Sequence, residues 1–541
     1  MTGTSRALAG SAVIALAVTV GSGVRVASAP PDKFLELAPL GQYRSNLFDA
    51  AAAEIAAYDP ATKRVFAVNV ELSQIDVIDI SDPARPFLTA TIDVSPFGDH
   101  SNSVAFKDGV LAVTVEADVS TNNGRLVFFN AFGSLLNQVT VGAVPDMVTF
   151  TPNGDLVLVA NEGEPNDAYT IDPPGSVSIV DIRNGIDAVT QAAVTTAGFN
   201  GFSRASLDPS VRIFGPGASV AQDLEPEYIA VSHNSQIAWV TLQENNAIGI
   251  IDLKARRVVD IVGLGFKNHS LPGHGIDASD QDGGINIRSW PVFGLYQPDA
   301  IAAFEANGRT YLVTANEGDV REYDGFNALG IESARVGAMT GTAPPVPLVP
   351  LDPVRFPNAA TLRQNAQLGR LNVTVASGDD DGDGDFDRLF AFGARSFSIW
   401  SEAVEQVFDS GDDIEQLTAA AFPNNFNANN TANGRDSRSD DKGPEPEGVT
   451  VAKLWGRTFI FVALERIGGI LVYTVVDPAS PTFVQYINTR DFAASVPGNS
   501  DLGAEGLVVV AEEDSPTGKP MLIVANEVSG TIRLFEIRKV K

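Results

Sequence analysis

An all-β fold, a seven-bladed β-propeller, is what this chain predicts, and three observations predict it. A run of β-formers ending in glutamate recurs seven times: FAVNVE at Glu71, LAVTVE at Glu116, LVLVANE at Glu162, AWVTLQE at Glu244, YLVTANE at Glu317, FIFVALE at Glu465 and LIVANE at Glu527. An acidic or amide residue entering an apolar strand precedes each copy by 14 to 22 residues: Glu54, Asn102, Asp146, Glu227, Asp299, Glu447 and Glu505. After each glutamate comes a third alternating segment (DVIDI, RLVFFN, SVSIVDI, AIGIIDL, SFSIW, GILVYTV, TIRLFEI) of blade-strand length. The unit is therefore strand, turn, strand, turn, strand. Short-stranded repeats of this kind pack radially as propeller blades, and their irregular spacing excludes a strict solenoid.

Taken in order, each repeat supplies one blade. The last supplies three strands before Lys541, while FLELAPLGQYRS, 34–45, stands ahead of the first repeat with no partner. Pairing that N-terminal strand into the last blade closes the ring and covers an exposed sheet edge. The repeats run almost the whole length, so one domain over 30–541 is expected despite the length. Insertions interrupt it near 184–222, 263–297, 322–370 and 424–442. Gly, Pro and Asp mark the first three as surface excursions. The fourth, NNFNANNTANGRDSRSDDK, reads either as a floppy loop or as an ordered lead into the sixth blade.

Residues 1–29 have the layout of a signal peptide: Arg6, an apolar stretch from Leu8 to Val20, and Ala27-Ser28-Ala29. No later stretch spans a membrane, so the expectation is an exported chain, secreted, periplasmic or on the cell surface. With 37 basic and 67 acidic side chains the net charge is −30, which argues against nucleic acid or an anionic membrane as partner. Divalent cations fit better. The absence of cysteine excludes disulfides, thiolate metal sites and cysteine nucleophiles.

Propeller geometry turns the repeat into a site. The start of an innermost strand and the end of the next lie at the same face, because adjacent strands are antiparallel. Glu54, Asp146, Glu227, Asp299, Glu447 and Glu505 should therefore approach the seven repeat glutamates at one mouth of the channel. Carboxylates so close need raised pKa values or cations between them. Calcium, a hard ion taking oxygen ligands, is the expected cofactor, and a further divalent or trivalent metal is compatible. Glu162, Glu227, Glu317 and Glu447 are the candidate ligands there. The alternative is that each glutamate bonds a neighbouring backbone or arginine as a structural residue.

The sharpest local motif is Asp379, Asp381, Asp383, Gly384, Asp385 and Asp387, with acids at positions 1, 3, 5, 7 and 9 and glycine at 6. Phe390 stands at position 12 and strands flank the run, so it reads as a D-x-D-x-D-G calcium loop rather than an EF-hand. A solvated acidic turn is its bland counterpart. Elsewhere NEGDVREYDGF carries Arg321, and SRSDDKGPEPEG carries Lys442, beside acids. Metals held by carboxylates next to fixed cations suit phosphate-ester hydrolysis, in which Arg321 and Lys442 would contact phosphate. An internal salt-bridge web would look the same. Four histidines, no G-x-S-x-G elbow and no phosphate-binding glycine loop leave little for a triad or a nucleotide cofactor.

At LVANEGEPNDAY, QDLEPEYIAV, DQDGGINI, YQPDAIAAF, TANEGDVREYDGF, DDKGPEPEGV and SPTGKPMLIVANEVSGTIRLFEI, the chain resembles the choice-of-anchor I family. That family is similar to mesenchyme-specific cell-surface glycoproteins associated with biomineralisation. The resemblance covers nearly all of 30–541 and implies an exported, propeller-like protein. Many bacterial relatives carry the label alkaline phosphatase, but the family offers no catalytic set to transfer onto these positions. The reading is an exported calcium-binding propeller whose acidic mouth binds cations and, through them, an extracellular mineral, polymer or surface partner. The alternative is a metal-dependent phosphomonoesterase at the same mouth, with a metal-free interaction propeller as a third class. The oligomeric state is left open.

Overall fold

The computed structural model describes residues 25–28, 34–341, 349–496, 498 and 500–540. Apart from Arg25–Ser28, the predicted signal segment lies outside the described residues. The fold is all-β and propeller-like. Seven antiparallel sheets follow one another, each with at least four strands in meander order. Their innermost strands are Ala56–Asp59, Val104–Lys107, Pro145–Phe150, Pro226–Val231, Ile301–Ala306, Pro446–Leu454 and Ala504–Val510. The second strands are Arg64–Asn69, Val110–Val115, Leu156–Asn161, Ile237–Leu242, Arg309–Asn316, Arg457–Leu464 and Met521–Asn526. Each second strand ends one or two residues before a repeat glutamate.

These second strands are buried on both faces, Leu156–Asn161 and Met521–Asn526 throughout, which is why they read as unbroken apolar runs rather than as alternating ones. Facing sheets share their cores. Phe66, Val68, Ile75 and Val77 of the first sheet pack on Leu111, Val113 and Val115 of the second. Ile523, Ala525 and Leu534 of the seventh pack back on Val65, Ala67 and Ile78 of the first. In the seventh sheet the outer strand is Leu35–Arg44, antiparallel to Thr531–Lys539 and running from Leu35 opposite Lys539 to Arg44 opposite Thr531. Arg25–Ser28 adds a fifth strand to the sixth sheet, beside Thr482–Asn488.

The insertions are more ordered than surface excursions. Segment 184–222 contains Val194–Gly198, the fourth strand of the third sheet. Segments 263–297 and 322–370 share a core of their own, with Ile276, Trp290 and Val292 packed among Val336, Met339, Leu362 and Leu368. Apolar residues from distant segments complete one another there. The Asn-rich segment 424–442 is not floppy. Asn427 and Ser439 are fully buried, Asn427 donates to Glu415 and Ser439, and the buried Arg490 guanidinium donates to the carbonyls of Asn429 and Ala432.

Candidate metal centre in the axial channel

The residues that open the innermost strands of all seven sheets line one cavity of about 50 Å3. Its wall includes Glu54, Asn102, Asp146, Tyr228, Asp299, Val449 and Glu505. Two glycines let the sheets close in. A Cβ on Gly448 would stand 1.9 Å from the Glu505 carbonyl oxygen, and one on Gly506 2.7 Å from that of Glu54. The sequence Glu-Gly at 447–448 and 505–506 thus pairs each carboxylate with the residue that brings the next sheet to the axis.

Four carboxylates face this cavity wall, those of Glu54, Asp146, Asp299 and Glu505. Those of Glu227 and Glu447 stand beside them, within electrostatic reach of Asp299. Burial, then the neighbouring carboxylates, pushes Glu54, Glu227, Asp299, Glu447 and Glu505 well above the usual carboxylate range. Asp146 is pushed up to about 7 by burial and then by Glu164 and Glu116. Oε2 of Glu54, Glu227 and Glu447 is buried without a hydrogen-bond partner among the described residues. An unsatisfied buried acceptor costs about 1–3 kcal/mol, and more when charged. That of Glu54 on the cavity wall, with those of Glu227 and Glu447, whose next residues Tyr228 and Gly448 line it, therefore mark a place where a proton or a cation completes the structure.

The repeat glutamates form a second level, and they divide. Glu71 is exposed, and Glu116 lies 3.5 Å from His100 Nε2. Glu162 is raised well above its usual range by burial, then by Glu164 and Asp146. On the fifth and sixth sheets, internal cations answer the charge. Lys442 Nζ donates to Glu317 Oε1 and the Gly318 carbonyl, both at 2.5 Å, and lies 3.1 Å from Glu445 Oε2. Gln243 donates to the other Glu317 oxygen at 2.9 Å. Arg438 and Arg466 also reach Glu445, at 2.6 and 2.9 Å. Burial works against Glu445, yet Lys442, Arg438 and Arg466 hold it well below the usual carboxylate range. Its backbone has a φ of 50°, a left-handed conformation costing about 1–2 kcal/mol that the triple ion pair helps to hold. Glu465 accepts from Asn430 and pairs with Arg466, while burial and then Glu445 push it up to about 8.

Arg321 is sequestered elsewhere. Its guanidinium, 1 % exposed, pairs with Asp223 at 2.5 Å and Glu225 at 2.8 Å and lies 4.5 Å over the Phe214 ring. Arg321 and Lys442 are thus both bound to carboxylates. Of the sequence candidates, Glu227 and Glu447 stand next to the cavity-lining Tyr228 and Gly448, each with a buried oxygen that has no hydrogen-bond partner among the described residues. It ties both oxygens of Glu317 to Lys442 and Gln243, and it sets Glu162 beside Glu164.

The acidic loop 379–387 lies away from the axis, folded on its own amides. Asp379 accepts from Gly382 and Gly384, Asp381 from Asp383, Asp383 from Asp385, and Asp387 from Asp380. Oxygens of Asp379, Asp381 and Asp387 lie within 4.8 Å of one another, and so do those of Asp352, Asp385 and Asp387. Asp383 joins neither triad. Asp352 is absent from the sequence reading; the parallel bridge of Leu351 with Phe386 brings it in, and nothing in LDPVRF signals it. Asp223 and Glu225, the partners of Arg321, lie in the stretch QDLEPEYIAV, where only Glu227 was singled out as a ligand.

An all-β, propeller-like protein with a carboxylate-lined axial cavity is the class this geometry defines. The chain belongs to the choice-of-anchor I family, whose domain matches residues 54–478. It is similar to gigasin-3a of Magallana gigas, 32 % identical over 194 residues that cover 33 % of this chain and 67 % of that one. It is also similar to the mesenchyme-specific cell surface glycoprotein of Strongylocentrotus purpuratus, 29 % identical over 355 residues. That match takes in 61 % of this chain and spans 42 % of the relative's length. Similar solved structures are the β-propeller domain of Cps50 (Swd1) from Myceliophteria thermophila and a streptogramin B lyase, each at 8 % identity and a TM-score of 0.43. The first covers 93 % of this chain and 100 % of that one, the second 92 % and 97 %. Among the described residues no helix is long and apolar enough to cross a membrane.

Proposed function

We propose that this is an exported, cation-binding propeller of seven blades, its ring closed by the strand Leu35–Arg44, acting at or outside the cell surface. One observation carries the reading: acidic residues line the axial cavity, and Glu54, Glu227 and Glu447 in and beside its wall each leave a buried oxygen without a donor among the described residues. A hard cation, calcium first, supplies the missing charge. The loop of Asp379, Asp381, Asp383, Asp385 and Asp387, extended by Asp352, takes a second calcium. Through these ions the protein engages an extracellular mineral, polymer or surface partner. The similarity to a cell surface glycoprotein of Strongylocentrotus purpuratus supports the location, and a charge of −30 supports cations over polyanions.

The phosphomonoesterase alternative would have to free Arg321 from Asp223 and Glu225, and Lys442 from Glu317 and Glu445. Cation binding needs no such rearrangement. Elemental analysis of the purified protein, with phosphatase assays before and after chelation and metal return, separates them. Stoichiometric calcium without turnover is the expected result. Turnover that tracks the metal and is lost in Glu317→Gln with Arg321→Ala would establish the enzyme instead.

A further inference from the structure

We infer that the axial cavity takes its cation with the water shell on, as an aquated divalent ion whose waters donate hydrogen bonds to the carboxylates. The inference rests on the cation-binding reading above and specifies the form of the ligand. Three observations carry it.

The first is size. The cavity offers about 50 Å3 to the centres of water molecules. A sphere of that volume has a radius of roughly 2.3 Å, which matches the distance at which oxygen ligands surround calcium. One metal ion with a single shell of water fills such a space.

The second is spacing. Inner-sphere chelation draws oxygens of several side chains into one coordination sphere, as the surface loop does where Asp379, Asp381 and Asp387 bring theirs within 4.8 Å. Among the described residues, no three of Glu54, Asp146, Glu227, Asp299, Glu447 and Glu505 converge so closely. Four of them, Glu54, Asp146, Asp299 and Glu505, line a volume rather than a point.

The third is valence. Among the described residues, Oε2 of Glu54 on the cavity wall has no hydrogen-bond partner, and neither have the corresponding oxygens of Glu227 and Glu447, whose next residues Tyr228 and Gly448 line the cavity. A bare ion would satisfy the nearest of these and leave the others open. A shell of polarised waters presents outward donors in several directions, and charge-assisted hydrogen bonds of that kind are the strong ones.

Selectivity follows. Magnesium gives up its water reluctantly and is disfavoured where a site demands dehydration. A cavity that leaves the shell in place should bind magnesium and calcium within about threefold of each other, whereas the loop should prefer calcium. Hexaamminecobalt(III), whose ammine shell does not exchange, should compete at the axis and not at the loop.

The test is europium luminescence, whose lifetimes in water and heavy water count the waters left on the bound ion. It uses the chain carrying Asp379→Asn, Asp381→Asn and Asp387→Asn, compared with the same chain also carrying Glu54→Gln and Glu227→Gln. Bound europium that keeps nearly its full water shell, is displaced by hexaamminecobalt(III) and is lost with the two glutamates is the expected result. Europium bound at the axis after losing most of its water, and indifferent to hexaamminecobalt(III), overturns the aquated form and leaves cation binding standing. No europium beyond the level of the glutamate variant overturns both. Should the loop variant fail to fold, the unaltered chain serves. It should then show two europium populations, of which only the hydrated one yields to hexaamminecobalt(III), and a single dehydrated population contradicts the inference.

Discussion

The mouth at the fifth and sixth sheets and the ring around the axial cavity present the same residue type with opposite solutions. At the mouth, Glu317, Glu445 and Glu465 meet Lys442, Arg438 and Arg466, as many cations as acids. At and beside the axial cavity, Glu54, Glu227 and Glu447 each keep a buried oxygen with no donor among the described residues. A repeated glutamate is therefore not one kind of residue. Where the fold carries its own cation the carboxylate is structural, and where it does not, the charge has to be answered by protons or by ions from solution.

The largest expected effect breaks the first half of that contrast. Lys442→Met strands Glu317 in a buried site while Glu445 keeps Arg438 and Arg466, and loss of one partner of a buried pair costs about 3–5 kcal/mol. Because oxygens of Glu317, Glu445 and Glu465 lie within 4.8 Å of one another, calcium should recover part of the loss, turning a structural site into a metal site. Chemical denaturation with and without calcium measures both effects.

The second prediction concerns the axis. Ligand at a hundredfold excess over its Kd adds about 2.7 kcal/mol, so calcium should raise the stability of the parent chain by that order. Glu54→Gln with Glu227→Gln should remove the axial share of the rise, leaving that of the loop at Asp379 and Asp387, while stabilising the metal-free protein, since two like charges are gone. Thermal melts across a calcium series decide it. An undiminished rise in the variant would place the calcium elsewhere.

Protons should substitute for the metal. Folded Asp146 holds its proton up to about 7, while an unfolded aspartate releases it near about 3.9. Between those values the folded state binds more protons, so the stability of chelated protein falls as pH rises through that window. Calcium should flatten the fall, and its binding near pH 6 should release protons, seen as a binding heat that varies with the buffer's ionisation enthalpy.

A smaller effect sharpens the packing side of the comparison. Gly448→Ala sets a Cβ 1.9 Å from the Glu505 carbonyl oxygen, and overpacking of this kind costs about 1–3 kcal/mol. The sheets should part at the axis and weaken calcium binding together with stability. Smallest of all, Asp379→Asn with Asp381→Asn lies on an exposed loop and should move stability by about 0.5 kcal/mol or less while removing one bound calcium.

The strands and the acidic positions were legible in sequence because both are local. A run such as LVLVANE declares a doubly buried strand and its end, and antiparallel pairing then fixes which ends share a face. What decided the fate of each carboxylate was not local. Lys442 and Arg438 arrive from a segment that composition alone could equally render as floppy, and they lie beyond a hundred residues from Glu317. Arg321 stands next to acids in sequence, yet it pairs with Asp223 and Glu225 across the chain. Asp352 joins the acidic loop only because Leu351 pairs with Phe386. Long-range pairing of this sort leaves no period to read. The insertions 263–297 and 322–370 escaped for the same reason, since their shared core exists only when both are folded together.

Diffraction from crystals grown with terbium, read as an anomalous difference map, tests the central claim most directly. A peak on the axis, enclosed by Glu54, Asp146, Asp299 and Glu505 and separate from any peak at Asp379 and Asp387, is the result expected. An axial cavity without anomalous density, in crystals whose acidic loop is fully loaded, would contradict it.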